Sequence, residues 1–67
     1  MQITINGNVQ SFEMAQMTVA ELVVKLNAKG KRIAVECNGE IIPRGEHAVA
    51  IIKDGDKLEI VGAVGGG

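Results

Sequence analysis

Thr18-Val19-Ala20-Glu21-Leu22-Val23-Val24-Lys25-Leu26-Asn27-Ala28-Lys29-Gly30 is the stretch that decides the fold. Val19, Leu22, Val23 and Leu26 recur at i, i+3, i+4 and i+7, the stripe of an amphipathic helix. Thr18 stands just ahead of the stripe and Glu21 follows three residues later, which is a capping-box spacing. Gly30 comes where a left-handed C-cap is needed. The spacing predicts a helix over residues 19–29, and on both sides of it the period changes from helical to alternating.

Upstream, Gln2-Ile3-Thr4-Ile5 alternates polar and apolar, as a half-buried strand does. Asn6-Gly7 is a hairpin signal because both residues accept positive φ. The returning strand is expected over 9–13, with Phe12 as its inward anchor. Downstream, residues 31–37 alternate again, with Ile33, Val35 and Cys37 on one face and Ala34 and Glu36 on the other. Asn38-Gly39 is a second tight turn, and Glu40-Ile41-Ile42 is a short strand closed by Pro43, hence a strand that lies at an edge or ends there. Residues 44–49 read as irregular or as one helical turn, with Ile51 and Ile52 as core residues holding the segment down. Asp54-Gly55-Asp56 is a turn, and 57–61 is the last strand, with Leu58 and Ile60 inward. The order ββαββ suits one mixed sheet with the helix on one face, the first and last strands parallel in its middle, and the other face open. This is an α+β fold with one domain over residues 1–62 and a flexible glycine tail over 63–67.

Composition narrows the function. Sixty-seven residues make a single small domain, and 46% of them are hydrophobic with one aromatic, Phe12. An aliphatic core of that size leaves little room for an enclosed ligand pocket of roughly 300 Å³ or more. Net charge is −1, against a nucleic-acid binder. The one basic cluster, Lys29, Lys31 and Arg32, fits a solvated loop. A single cysteine excludes an internal disulfide, and no apolar run approaches the ~20 residues that span a bilayer. The sequence also lacks a leader pattern at Met1-Gln2-Ile3, so a soluble, cytoplasmic setting is expected.

Catalytic side chains are scarce. His47 is the only histidine, and no metal set can be assembled from it, Cys37 and scattered carboxylates. Cys37 shares its face with Ile33 and Val35, which fits core packing better than a reactive thiol. His47 reads as a solvated surface residue, with partner recognition the second reading. Met14 and Met17 fill core edges, and Asp54 and Asp56 are turn residues before they are paired carboxylates. Gly65-Gly66-Gly67 has no following element and therefore no turn to make. It is either a frayed end or a working one. A chain without Cβ atoms is thin enough to thread a narrow channel, and from Val61 to Gly67 it reaches roughly 20 Å. Its α-carboxylate, ionised at neutral pH, can attack the α-phosphate of ATP.

Several segments together resemble the ThiS family of sulfur carriers. They are the capped helix, Ile41-Ile42-Pro43-Arg44, Asp54-Gly55-Asp56, Leu58-Glu59-Ile60-Val61 and Ala63-Val64-Gly65-Gly66-Gly67. The resemblance covers essentially the whole chain and implies a ubiquitin-like β-grasp fold. It implies that a ThiF-type adenylating enzyme uses ATP and Mg²⁺ to adenylate the Gly67 carboxylate. A cysteine-derived persulfide, supplied by a donor such as a cysteine desulfurase, then converts it to a thiocarboxylate. Thiazole synthase of the ThiG type receives the sulfur. On this reading the chain is no enzyme, binds no cofactor or metal and is a monomer when free. Gly67 carries the sulfur, Gly65 and Gly66 thread the partner's active site, Gly62 lets the strand bend out, and Glu59, Val61 and Ala63 contact partners. Rival readings are a molybdopterin-pathway sulfur carrier, a ubiquitin-like modifier, a non-covalent binding module and, last, an independent enzyme.

Overall fold

A computed structural model describes residues 1–26 and 33–62. The chain runs β1 (Gln2–Ile5), β2 (Asn8–Ser11), β3 (Gln16–Thr18), α1 (Val19–Lys25), β4 (Ile33–Cys37), β5 (Glu40–Ile42), a 3-10 turn (Arg44–Glu46), β6 (Ile51–Lys53) and β7 (Lys57–Gly62). Five strands form one sheet in the order β2-β1-β7-β4-β5. β1 and β7 run parallel at its centre, and the other pairs are antiparallel, as the alternation predicts. Both hairpins turn on an Asn-Gly pair in left-handed conformation, with φ of 49° and 85° at Asn6-Gly7 and 52° and 89° at Asn38-Gly39.

The helix begins as its capping box requires. The Glu21 amide donates to Thr18 Oγ1 at 3.1 Å, and the Thr18 amide donates to Glu21 Oε1 at 2.8 Å. Two further amides of its first turn are taken up by loop carbonyls, Val19 N to Ala50 O at 3.0 Å and Ala20 N to His47 O at 2.9 Å. This ties the segment after β5 to the helix start. α1 ends at Lys25 with Leu26 as its C-cap, earlier than the expected 29. Three of its seven residues are the β-branched Val19, Val23 and Val24, which lose side-chain freedom in a helix. Residues 27–30, including the expected Gly30 cap, lie outside the described residues.

Glu21 gives the helix a pH dependence. The hydrogen bond from the Thr18 backbone, then that from its hydroxyl, holds the Glu21 carboxyl below its ordinary value of 4.5. A depressed folded value means the contribution is complete above the unfolded value and lost as pH falls through the folded one. Thr18→Ala is expected to lower stability by about 1 kcal/mol at neutral pH in urea unfolding. Wild-type stability should fall as pH drops below 4.5, a step that Glu21→Gln removes.

Ile3, Ile5, Met17, Val19, Leu22, Val35, Ile52 and Leu58 form the core, between one face of the sheet and α1. Phe12, Met14, Val23, Leu26, Ile33, Cys37 and Ile60 pack half-buried against it. The sequence reading needs two corrections here. β3 and β6 make a second, two-stranded sheet, with Met17 opposite Ile52 as its inward pair. Strand alternation then turns Ile51 outward, so it is 44% exposed while Ile52 is fully buried. The returning strand β2 starts at Asn8 and stops at Ser11, leaving Phe12 just beyond it.

Candidate functional site

The side chains that could carry chemistry are already engaged in holding turns. Asp54 Oδ1 accepts the Gln2 amide at 2.6 Å. Asp56 accepts the Lys53 amide at 2.8 Å and the Asn38 side-chain amide at 3.1 Å. The two aspartates therefore close the turn into β7. Cys37 is half-buried; that burial, then nearby Asp56, pushes its thiol up, away from the nucleophilic thiolate. His47 differs from expectation: it is half-buried, and its Nε2 hydrogen-bonds the Ile42 carbonyl oxygen at 3.2 Å. It pins the 3-10 turn to the end of β5. Its partner is a backbone atom five residues away, which composition and period do not reveal. Among the described residues no group of three or more His, Cys, Asp or Glu is placed to hold a metal ion. No described helix is long and apolar enough to cross a membrane.

What remains is the strand that leads to the glycine segment. β7 has neighbours on both sides, β1 and β4, over its first half. β1 stops at Ile5, and Asn6 continues its work with a side chain. The Asn6 amide donates to Leu58 O at 2.9 Å, Ile60 N donates to Asn6 Oδ1 at 2.7 Å, and Asn6 Nδ2 donates to Ile60 O at 3.0 Å. Asn38 holds the other end of the strand, its Oδ1 accepting the Lys57 amide at 3.0 Å. The chain is thus fixed as far as Ile60. Gly62 still lies opposite Ile33 in β7, so the strand has not left the sheet at that residue.

Of the expected partner-contact residues, Glu59 and Val61 are exposed in β7 on the face away from α1. In the β4–β7 register Glu59 lies opposite Glu36 and Val61 opposite Ala34. Ile41, opposite Glu36 on β5, shares the face, as does Val9, opposite Thr4. Ala63, Gly65, Gly66 and Gly67 lie outside the described residues.

A mixed sheet with β1 and β7 parallel at its centre and a single helix across one face defines a ubiquitin-like β-grasp protein. A model of the ThiS family matches residues 3–67, and the chain belongs to that family. It is 33% identical to the sulfur carrier protein ThiS of Escherichia coli, with all of both chains covered. The crystal structure of the thiamine biosynthesis protein ThiS from Geobacter metallireducens superposes with a TM-score of 0.88 at 33% identity, again over all of both chains. A thiazole synthase from Paramagnetospirillum magneticum is 45% identical over 67 residues, the whole of this chain and 20% of that protein. The chain therefore spans about one fifth of that relative's length.

Proposed function

We propose that this chain is a sulfur carrier of thiamin biosynthesis, acting in the cytoplasm, with the carboxylate of Gly67 as its working group. A ThiF-type enzyme, using ATP and Mg²⁺, joins that carboxylate to AMP and releases pyrophosphate. The acyl-adenylate is then open to a sulfur nucleophile derived from cysteine, supplied by a donor such as a cysteine desulfurase. The product is a thiocarboxylate on Gly67, which thiazole synthase consumes. Gly65 and Gly66 form the thin lead that enters each partner. The carrier itself supplies no catalytic side chain and binds no cofactor.

One observation carries the reading. The whole of this chain matches the whole of a sulfur carrier, and its glycine-rich end follows directly on the central strand pinned by Asn6. A thiazole synthase containing a stretch that matches this chain supports that enzyme as the sulfur acceptor. The test is intact-protein mass after incubation with a ThiF-type enzyme, ATP, Mg²⁺ and a persulfide donor. One oxygen replaced by sulfur at Gly67 is the expected result. Isopeptide-linked species of higher mass would instead mark a protein modifier, and no ATP-dependent change would mark a binding module.

A further inference from the structure

We propose that Asn38-Gly39 is a self-modification site, at which the Asn38 side-chain amide deamidates once it lets go of Asp56. This goes beyond the carrier reading and does not depend on it. The chain holds two Asn-Gly pairs, Asn6-Gly7 and Asn38-Gly39, each exposed at the tip of a hairpin. Glycine bears no Cβ to shield its own amide nitrogen, so it is the neighbour that best permits attack on an asparagine side chain. In both turns nothing lies within 4 Å of where a Cβ on the glycine would stand. Sequence and sterics therefore treat the two pairs alike, and their hydrogen bonds separate them. The Asn6 side chain is bound to backbone: Oδ1 accepts from Ile60 N and Nδ2 donates to Ile60 O. Freeing it means pulling it off the central strand. Asn38 Nδ2, the group that leaves on deamidation, is held by a side chain, donating to Asp56 Oδ1 at 3.1 Å. Its other neighbour is Cys37 Sγ at 3.7 Å, a weak acceptor. Only Asn38 Oδ1 meets backbone, accepting the Lys57 amide at the start of β7. Attack requires the side chain to swing its Cγ toward Gly39 N, which these anchors prevent. A rotation of Asp56 loosens Asn38 locally, and local openings take less free energy than opening a central strand.

The step balances with water alone. Gly39 N gives up its proton to solvent base and attacks Asn38 Cγ. A C–N bond forms, the Cγ–Nδ2 bond breaks, and Nδ2 takes a proton from solvent and departs as ammonia, leaving a cyclic succinimide. Water then opens the ring at either carbonyl and leaves aspartate or isoaspartate at position 38. Neither product fits the site as the amide does. The aspartate sets a carboxylate against Asp56 where Nδ2 had donated, and like charges so placed repel. Asp56 also accepts the Lys53 amide at 2.8 Å, so the repulsion falls on the turn into β7. The isoaspartate adds a methylene to the backbone inside a two-residue turn between paired strands. The modification thus opposes the closure that had slowed it, at the side chain that holds the first residue of β7.

The experiment incubates the full chain in mildly alkaline buffer, with and without urea, and follows deamidation at both pairs by peptide mass mapping. Asn6 is the built-in reporter of wholesale opening. Without urea, Asn38 should deamidate at least about 10-fold faster than Asn6, because the rate scales with the population of the open form. In urea, where both turns are lost, the two sites should react alike. Asp56→Ala should raise the Asn38 rate by about another 10-fold in the folded chain and leave Asn6 unchanged. Asn38→Asp, which mimics the product, should lower the thermal unfolding midpoint at neutral pH. Equal rates at the two sites without urea, a faster Asn6, or no reaction at Asn38 in the folded chain overturns the inference, and these readings need no variant. An Asp56→Ala chain in which both rates rise together shows general unfolding and removes Asp56 as the gate. An Asn38→Asp midpoint equal to that of wild type overturns the claim that the product is ill-fitted to the turn.

Discussion

Removing Gly66 and Gly67 is expected to abolish ATP-dependent activation while leaving the thermal unfolding midpoint where it was. The carboxylate of the shortened chain would end at Gly65, roughly 7 Å short of its proposed position at ~3.3–3.6 Å per residue. Nucleophilic attack needs the reacting atoms about 3–3.5 Å apart, and a misplacement of even about 1 Å can cost around 100-fold. A two-residue deficit therefore removes the reaction, and activation below about 1% of wild type is the expected reading. Stability should not follow, because every buried core residue described lies between Ile3 and Leu58. Pyrophosphate release and a thermal melt on the same preparation separate the two effects. Retained activation would remove Gly67 from the proposed role, and a lowered midpoint would make the glycines part of the folded body.

Leu58→Ala should be the most damaging single change in the core. Leu58 is fully buried in the central strand, opposite Ile5 on one side and Cys37 on the other. A buried Leu→Ala change costs about 2–5 kcal/mol, the lost transfer energy plus the cavity left behind. At about 0.05–0.15 kcal/mol per residue, a domain of this length holds roughly 3–10 kcal/mol in all. The substitution thus takes a large share of the total, and the urea midpoint should fall steeply with little change in slope. Ile41→Ala, on the open face at 67% exposure, is the contrast and should stay within about 0.5 kcal/mol of wild type. A Leu58→Ala protein as stable as Ile41→Ala would mean that the core is not arranged around β7.

The main sheet was legible because its signals are local. Asn6-Gly7 and Asn38-Gly39 announce their hairpins, and Thr18 with Glu21 announces the helix, each within four residues. The β3–β6 ribbon was not. Its strands are three residues each, too short for alternation to register, and Ile51-Ile52 gives no alternation at all. Gln16-Met17-Thr18 reads as the approach to a helix cap, and only pairing with residues far along the chain makes it a strand. Distance along the chain also hid two features of the candidate site. Strand period alone sets Glu59 and Val61 on one face, but the opposition of Glu59 to Glu36 depends on the register between β4 and β7. The grip of Asn6 on Ile60 joins residues 54 positions apart.

The central place of β7 has a mechanical side. On the proposed carrier reading the chain end enters another protein and must also be withdrawn, and a pull on it would load this strand. Because β1 and β4 flank it, such a load falls on hydrogen bonds along both borders at once, in shear, instead of unzipping an outer strand bond by bond. The Asn6 amide adds a rivet at Ile60, near the point where the force enters. On that reading the placement of β7 inside the sheet favours a body that keeps its fold when its end is withdrawn.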